Sequence, residues 1–446
     1  MKGLITIMEK AQLRFTAKKG TTAVTSDGHE AVKASFDGTT VTVGLTYRPV
    51  SAQEADSFKD RSPVWSRPLT LNAPAVEGDN VIVELLPQRI SIFVNGELFD
   101  EDFPVGVILD GVAASEGDFD IDISAVDESN TACPKPRKGI SFSELRRPGV
   151  NIGDCMPFSD TRSDSDGRFH LFWLYDRHHH CSKWGLGAHQ WAHASTKDFV
   201  SWDEYPMAVP ITEQYEGSIC TGSTIRNDSG AEHKFTAWYA IRMSDRSPAR
   251  IKSSVSEDNI NYRKTGAYFS LPERYDGPSA RDPKAIYAEG KYHLLITTSL
   301  KETGEGCLAH IVSDNADMSN FTDLGPILRM SETASEAEKK SGSSSWRDQP
   351  ECPDWFKMGR YYYIVWSQRG GARYAFSDTP FGESGWTIPE DNRIPVGAVP
   401  KSAVCPWNGE RVFVGFTGEN GYGGGAVAAR TVQESDGTLR FVEMAL

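Results

Sequence analysis

An all-β fold, a five-bladed β-propeller preceded by a β-sandwich, is what this sequence predicts, and three observations carry the prediction. Short alternating or apolar runs recur along the whole chain between clusters of Gly, Pro, Asp and Asn, as strands between turns do. Helical periodicity is nearly absent: only 328–341, LRMSETASEAEKKS, suits a helix, and it is polar enough to be a surface insertion. Finally, segments of the form basic residue, aromatic or His, then apolar strand recur at 168–174, 291–297 and 360–366, each following a motif that carries an acid.

Residues 1–130 read as the sandwich. Their strand candidates include 38–48 (GTTVTVGLTYR), 80–86 (NVIVELL) and 90–97 (ISIFVNGE), and Asn95-Gly96 supplies the dipeptide that a tight hairpin requires. The run 127–148, DESNTACPKPRKGISFSELRRP, is rich in Pro and basic residues and poor in strand formers, which places a linker at 131–148. Residues 149–446 read as the propeller, with strands at 169–175, 234–241, 291–299, 360–367 and 410–416. The acids Asp154, Asp282 and Glu351 lie 128 and 69 residues apart, the first interval nearly twice the second. At roughly 60 residues per blade, they would occupy blades one, three and four of five. The innermost strands of a propeller converge on one axis, so acids distant in the chain would meet in one funnel.

The balance of 61 acidic to 47 basic residues gives a net charge of -14, which repels nucleic-acid phosphates and anionic lipid, so neither is an expected partner. No apolar run approaches the roughly 20 residues of a spanning helix. The N-terminus, MKGLITIMEKAQLRF, has a short apolar patch broken by Glu9 and Lys10 and no small-residue cleavage site, unlike a secretory signal. Seven cysteines, odd in number and without short pair spacing, fit a reducing compartment, and a cytoplasmic location is expected. Aromatics make up 11% of the chain, a supply that suits sugar stacking and the core of a large β-protein alike.

Each acidic motif has an ordinary reading beside a chemical one. Asp154, in Asn151-Ile152-Gly153-Asp154-Cys155-Met156-Pro157, could equally shape a turn. Asp282, in Arg281-Asp282-Pro283, is either half of a surface charge pair or a buried, hydrogen-bonded carboxylate at the start of a strand. Glu351 stands between prolines in Trp346-Arg347-Asp348-Gln349-Pro350-Glu351-Cys352-Pro353-Asp354, where confinement near other acids suits a general acid.

Taken in order, these motifs resemble the catalytic propeller of glycoside hydrolase family 32, the invertases, levanases and inulinases. Gly149–Asp154 lies where that family carries its "WMNDPNG" motif. The stretch His189-Gln190-Trp191-Ala192-His193-Ala194-Ser195-Thr196-Lys197-Asp198 with Trp202 is similar to "HWGHAxSxDLxxW", and Cys220-Thr221-Gly222-Ser223 stands for "FSGS". Arg281-Asp282-Pro283 matches "RDP", and Glu351-Cys352-Pro353 matches "ECP". The resemblance implies a retaining hydrolase of β-fructofuranosidic bonds in sucrose or short fructooligosaccharides, working without a cofactor. Asp154 would be the nucleophile and Glu351 the acid/base. Asp282, oriented by Arg281, would hold fructosyl hydroxyls and stabilise the transition state. Trp184, Trp191, Thr221, Ser223 and Cys352 would line the sugar pocket.

The chain departs from the family pattern in several places. Gly153 replaces the Asn before the nucleophile, Cys155-Met156-Pro157 replaces "PNG", and Leu174 stands where the family has a Gln. The run His178-His179-His180 falls in a substrate-proximal region. His179 or His180 would reach the sugar, or the run is a solvated loop. A metal site is not expected there, because consecutive side chains diverge. The sandwich, which the family carries after its propeller, comes first here, and resembles laminin-G-like or concanavalin-like modules through its "FVNG" turn. Three other readings stay open: a fructosyltransferase with the same nucleophile, an arabinofuranosidase or xylosidase propeller, and a non-catalytic sugar-binding protein.

Overall fold

A computed structural model describes residues 11–20, 22–26, 30–45, 69–86, 89–102, 112–116, 122–125, 137–147, 150–176, 189–213, 215–243, 247–333, 345–369, 371–419, 422–444 and 446. The fold is all-β, built from seven antiparallel sheets. Each strand-like run singled out in the sequence contains a strand, with residues 46–48 of the run 38–48 outside the described residues. The chain divides into two compact units. The first takes residues 1–136 with the segments 180–189 and 211–218, and the second takes the rest.

In the first unit one sheet has the strand order Asp122–Ala125, Ala11–Thr16, Asn80–Leu86, Arg89–Val94, Glu97–Asp102. The other runs Leu69–Pro74, Thr40–Leu45, Glu30–Phe36, Thr22–Ser26, Val112–Glu116. Alternate residues of both sheets, among them Leu13, Val83 and Ile92 from one and Phe36, Val43 and Leu71 from the other, share a single apolar core. The Asn95-Gly96 turn joins two of these strands with both residues at positive φ (51° and 81°), the geometry that selects this dipeptide.

The second unit holds five sheets in chain order. In each, the strand farthest forward in sequence (apart from the edge strand Arg137–Ile140 added to the first sheet) lies at one edge and the following strands pair outward. These leading strands are Asn151–Ser159, Glu216–Arg226, Arg281–Ala288, Glu351–Met358 and Ala398–Val404. Residues 137–140 were expected to be linker. Their pairing with Trp202–Val209 makes them sheet instead, because Arg137 finds the buried carboxylate of Glu204. Of the expected helix at 328–341, residues up to Arg329 finish a strand, Met330–Thr333 form one helical turn, and 334–341 lie outside the described residues.

The leading strands are bonded to one another in succession. The Gly222 N–H donates to the Met156 sulfur at 3.2 Å, joining the second sheet to the first. The Ala285 N–H donates to Ser223 Oγ at 2.7 Å, and Lys284 Nζ meets Asp354 Oδ1 at 2.6 Å. Ser402 donates to Asp354 through its N–H and its hydroxyl, both at 2.8 Å. The fifth sheet returns to the first: Ile152 and Gly424 exchange two backbone hydrogen bonds of 2.8 and 3.0 Å. Between the second and fifth sheets, Lys401 Nζ donates to the Gly222 carbonyl at 3.0 Å. The five leading strands are thus linked in succession, the last back to the first.

Candidate active site

Four of the five leading strands break their pairing at the same place. Two residues oppose one at Gly153-Asp154, Asp282-Pro283, Cys352-Pro353 and Val399-Pro400, each a β-bulge. In the last three, the first bulge residue takes a left-handed φ near 50° and the second is a proline, which has no N–H to contribute to the ladder. Bulges re-aim side chains, and these turn Asp154, Asp282 and Cys352 toward one another. The non-glycine residues held at positive φ are the local cost of that arrangement.

Cys352 is the meeting point. Its Sγ lies 3.3 Å from Asp154 Oδ2 and 3.5 Å from Asp282 Oδ2, and its backbone N–H donates to Asp282 Oδ2 at 3.0 Å. Burial, and then the two carboxylates, push the thiol well above its ordinary pKa, so it faces them as a neutral S–H. Asp154 is itself buried. Its Oδ2 accepts from the Thr221 hydroxyl and its Oδ1 from the Tyr422 hydroxyl at 2.7 Å.

Glu351 precedes the bulge of the fourth sheet as Arg281 precedes that of the third, and the two equivalent side chains pair: Arg281 Nη2 donates to Glu351 Oε1 at 2.9 Å. Arg281 also lies 3.7 Å from Asp282 Oδ2, and it is fixed from behind by the Ser279 carbonyl and the Gln349 amide oxygen. Buried between two carboxylates, its guanidinium is held above even its usual basicity: burial opposes this, and Asp282 and Glu351 outweigh it. The prolines flanking Glu351 do not seal it, since 38% of its side chain is exposed. It is the acid of the three that solvent reaches.

The expected pocket residues divide. Thr221 and Cys352 touch Asp154. Trp191 is fully buried among Phe172 and Tyr239, with its indole N–H given to the Cys220 carbonyl. Ser223 is likewise spent on structure, its hydroxyl donating to the Pro283 carbonyl and accepting from the Ala285 N–H. Both are core pieces, because an aromatic ring or a small hydroxyl at an inter-sheet seam satisfies packing before it can serve a ligand. Trp184, His179 and His180 lie outside the described residues. Among the described residues no group of His, Cys, Asp and Glu is arranged to hold a metal. Sequence reasoning missed Tyr422, Lys401 and Gln349. Tyr422 stands in a glycine run, Gly421-Tyr422-Gly423-Gly424-Gly425, whose destination no local pattern reveals.

The arrangement offers one buried carboxylate fixed at both oxygens, a second beside a guanidinium, and a third that is accessible: a set suited to displacement at an acetal carbon. A model of the N-terminal domain of glycosyl hydrolases family 32 matches residues 160–379, a span that holds Asp282 and Glu351 with Asp154 just upstream. The sucrose-6-phosphate hydrolase of Salmonella typhimurium is 25% identical over 213 residues, covering 46% of this chain and 41% of its own length. The raffinose invertase of Escherichia coli is 26% identical over 211 residues, covering 46% and 40%. The chain thus spans about two fifths of the length of these curated relatives. In fold it is similar to fructan 1-exohydrolase IIa of Cichorium intybus, with a TM-score of 0.52 at 16% identity over 69% of this chain and 60% of that one.

Proposed function

Because the chain belongs to glycoside hydrolase family 32, we propose that it hydrolyses β-fructofuranosidic bonds in sucrose or short fructooligosaccharides with retention of configuration. In this reading residues 149–446 are a five-bladed propeller with the acids on blades one, three and four, and residues 1–130 are a separate laminin-G-like or concanavalin-like sandwich. The observation that carries it is the single sulfur of Cys352 in contact with both Asp154 and Asp282, while Glu351, its neighbour in the chain, pairs with Arg281.

Asp154 attacks the anomeric C2 of the fructosyl unit as Glu351 gives its proton to the leaving oxygen. The C2–O bond breaks and an acyl-type bond from Asp154 to C2 forms. Glu351, now a carboxylate, takes a proton from water; the hydroxide oxygen attacks C2 and releases Asp154. Asp282, steadied by the Cys352 N–H, accepts hydrogen bonds from fructosyl hydroxyls as positive charge develops. The exposure of Glu351 gives it the route to leaving group and water that its two turns of duty require. Among the described residues Cys155, Cys307, Cys352 and Cys405 are free thiols, which supports a reducing, cytoplasmic setting and a small imported sugar as substrate. No described helix is long and apolar enough to cross a membrane.

Release of fructose from sucrose and from inulin- and levan-type oligosaccharides tests the reading. Asp154→Ala and Glu351→Gln should each lower kcat/KM by about 10³-fold or more, with thermal midpoints little changed. Unaltered turnover in either variant, or none in the wild type, would overturn it.

A further inference from the structure

The loop Thr417–Gly425, between the second and third strands of the fifth sheet, does two things at once. It is cinched on itself: the Thr417 N–H donates to the Gly425 carbonyl and the Gly425 N–H returns to Thr417 Oγ1, both at 2.8 Å, while the Glu419 N–H donates to the Gly423 carbonyl at 2.9 Å. It is also fastened to the first sheet. Gly424 pairs with Ile152, and Arg146 bridges Glu419 at 2.6 Å and Asn151 Oδ1 at 2.8 Å. Gly423, at φ +85°, passes so close that a Cβ would lie 2.7 Å from the Asn151 Cβ, which admits only glycine.

Tyr422 projects from this loop. Its ring packs on Phe416 with centroids 5.0 Å apart. Its hydroxyl donates to Asp154 Oδ1 at 2.7 Å and accepts from the Asp154 N–H at 2.9 Å, so one oxygen holds the backbone and the carboxylate of the same residue. With Thr221 on Oδ2, both carboxylate oxygens are tied to opposite sides. The space for the ring is made by Gly153: a Cβ there would come within 2.4 Å of the Tyr422 Oη and 2.7 and 2.9 Å of two ring carbons.

We propose that Tyr422 is the positioning residue of the Asp154 carboxylate, delivered by the loop that joins the fifth sheet to the first, and that Gly153 is there to receive it. Burial, and then the Asp154 carboxylate, hold the Tyr422 hydroxyl protonated far above the usual tyrosine range, so near neutral pH it is a donor. A carboxylate without this donor can rotate about its side-chain bonds, and a misplacement of about 1 Å in an attacking group costs on the order of 10²-fold in rate. The inference rests on Asp154 as nucleophile, and its test is built to fail separately.

Tyr422→Phe keeps the ring and removes the hydroxyl. On sucrose its kcat should fall about 10- to 100-fold, with KM within about twofold of wild type and the protein still folded at the assay temperature. An unchanged kcat, or a loss confined to KM, would overturn the inference while leaving the proposed function standing. A stability cycle asks the same question without any turnover. Gly153→Ala should lower the unfolding midpoint of the wild type but not of the Tyr422→Gly variant, where the collision is gone; additive effects would overturn the pairing. A wild type inactive on every fructoside sinks the proposed function, and the cycle then still decides whether Gly153 and Tyr422 were fitted to each other.

Discussion

Cys352 shows how far a residue's chemistry is set by its neighbours. A thiol among acidic side chains invites the expectation of reactivity, yet this one is buried against Asp154 and Asp282, and burial first, the carboxylates second, disfavour the thiolate. Treated with iodoacetamide at pH 8, the folded protein should label at the half-buried Cys220 before Cys352, and Cys352 should label only on unfolding, as read by peptide mass spectrometry. Early modification of Cys352 would contradict its placement. At this scale the sequence was uneven. Asp154, Asp282 and Glu351 were singled out together by their ordered, family-like motifs, and the structure sets Asp154 and Asp282 against Cys352 and pairs Glu351 with Arg281. The structural bonds of Trp191 and Ser223 were not legible, because nothing local separates a ring or hydroxyl that greets a sugar from one that fills a seam. Tyr422 was invisible, since its importance arises from where a glycine run is carried, not from what the run contains.

Among the elements, the leading strands and their partners divide the labour. The bulges aim the acids, and their prolines could be read in advance as Asp282-Pro283 and Cys352-Pro353, though not as bulges; Val399-Pro400 repeats the device without an acid. Behind them the third sheet buries a histidine pair, His293 Nδ1 to His310 Nε2 at 2.9 Å, stacked on Phe381. A hydrogen bond between two imidazoles needs one ring nitrogen without a proton. Burial pushes His293 down to about 4, and burial followed by its neighbour His293 pushes His310 down to about 3, from 6.5. In the unfolded chain both take protons near 6.5, so as pH falls below that value the unfolded state binds more protons than the folded one. Stability is then lost at up to about 1.4 kcal/mol per pH unit for each histidine, until the folded pKa is reached. Thermal midpoints measured from pH 7 to pH 4 should fall, and His310→Leu should flatten that fall even though it lowers the midpoint at pH 7. An equally steep fall in the variant would show that the pair does not carry it.

For the whole molecule, the decisive fact is that no two of the three acids are near in sequence, and the succession of sheets brings them to one thiol and one guanidinium. That convergence was the expectation drawn from the ratio of the intervals between the acids and from the recurrence of basic-aromatic-apolar segments. What holds the sheets in succession was not legible. Ser223, Lys284, Asp354, Ser402 and Lys401 are ordinary polar residues whose bonds form only once the sheets stand side by side, and the residues 137–140 became strand because Glu204 awaited Arg137. The proposed chemical consequence of the convergence is a covalent intermediate on Asp154, and stereochemistry tests it directly. Free fructose loses that record by mutarotation, so the measurement is turnover of sucrose in buffer containing methanol, with the methyl fructofuranoside identified by ¹³C NMR. Two successive inversions at C2 predict the β-anomer. The α-anomer would mean a single displacement by the acceptor, and would contradict a nucleophilic Asp154.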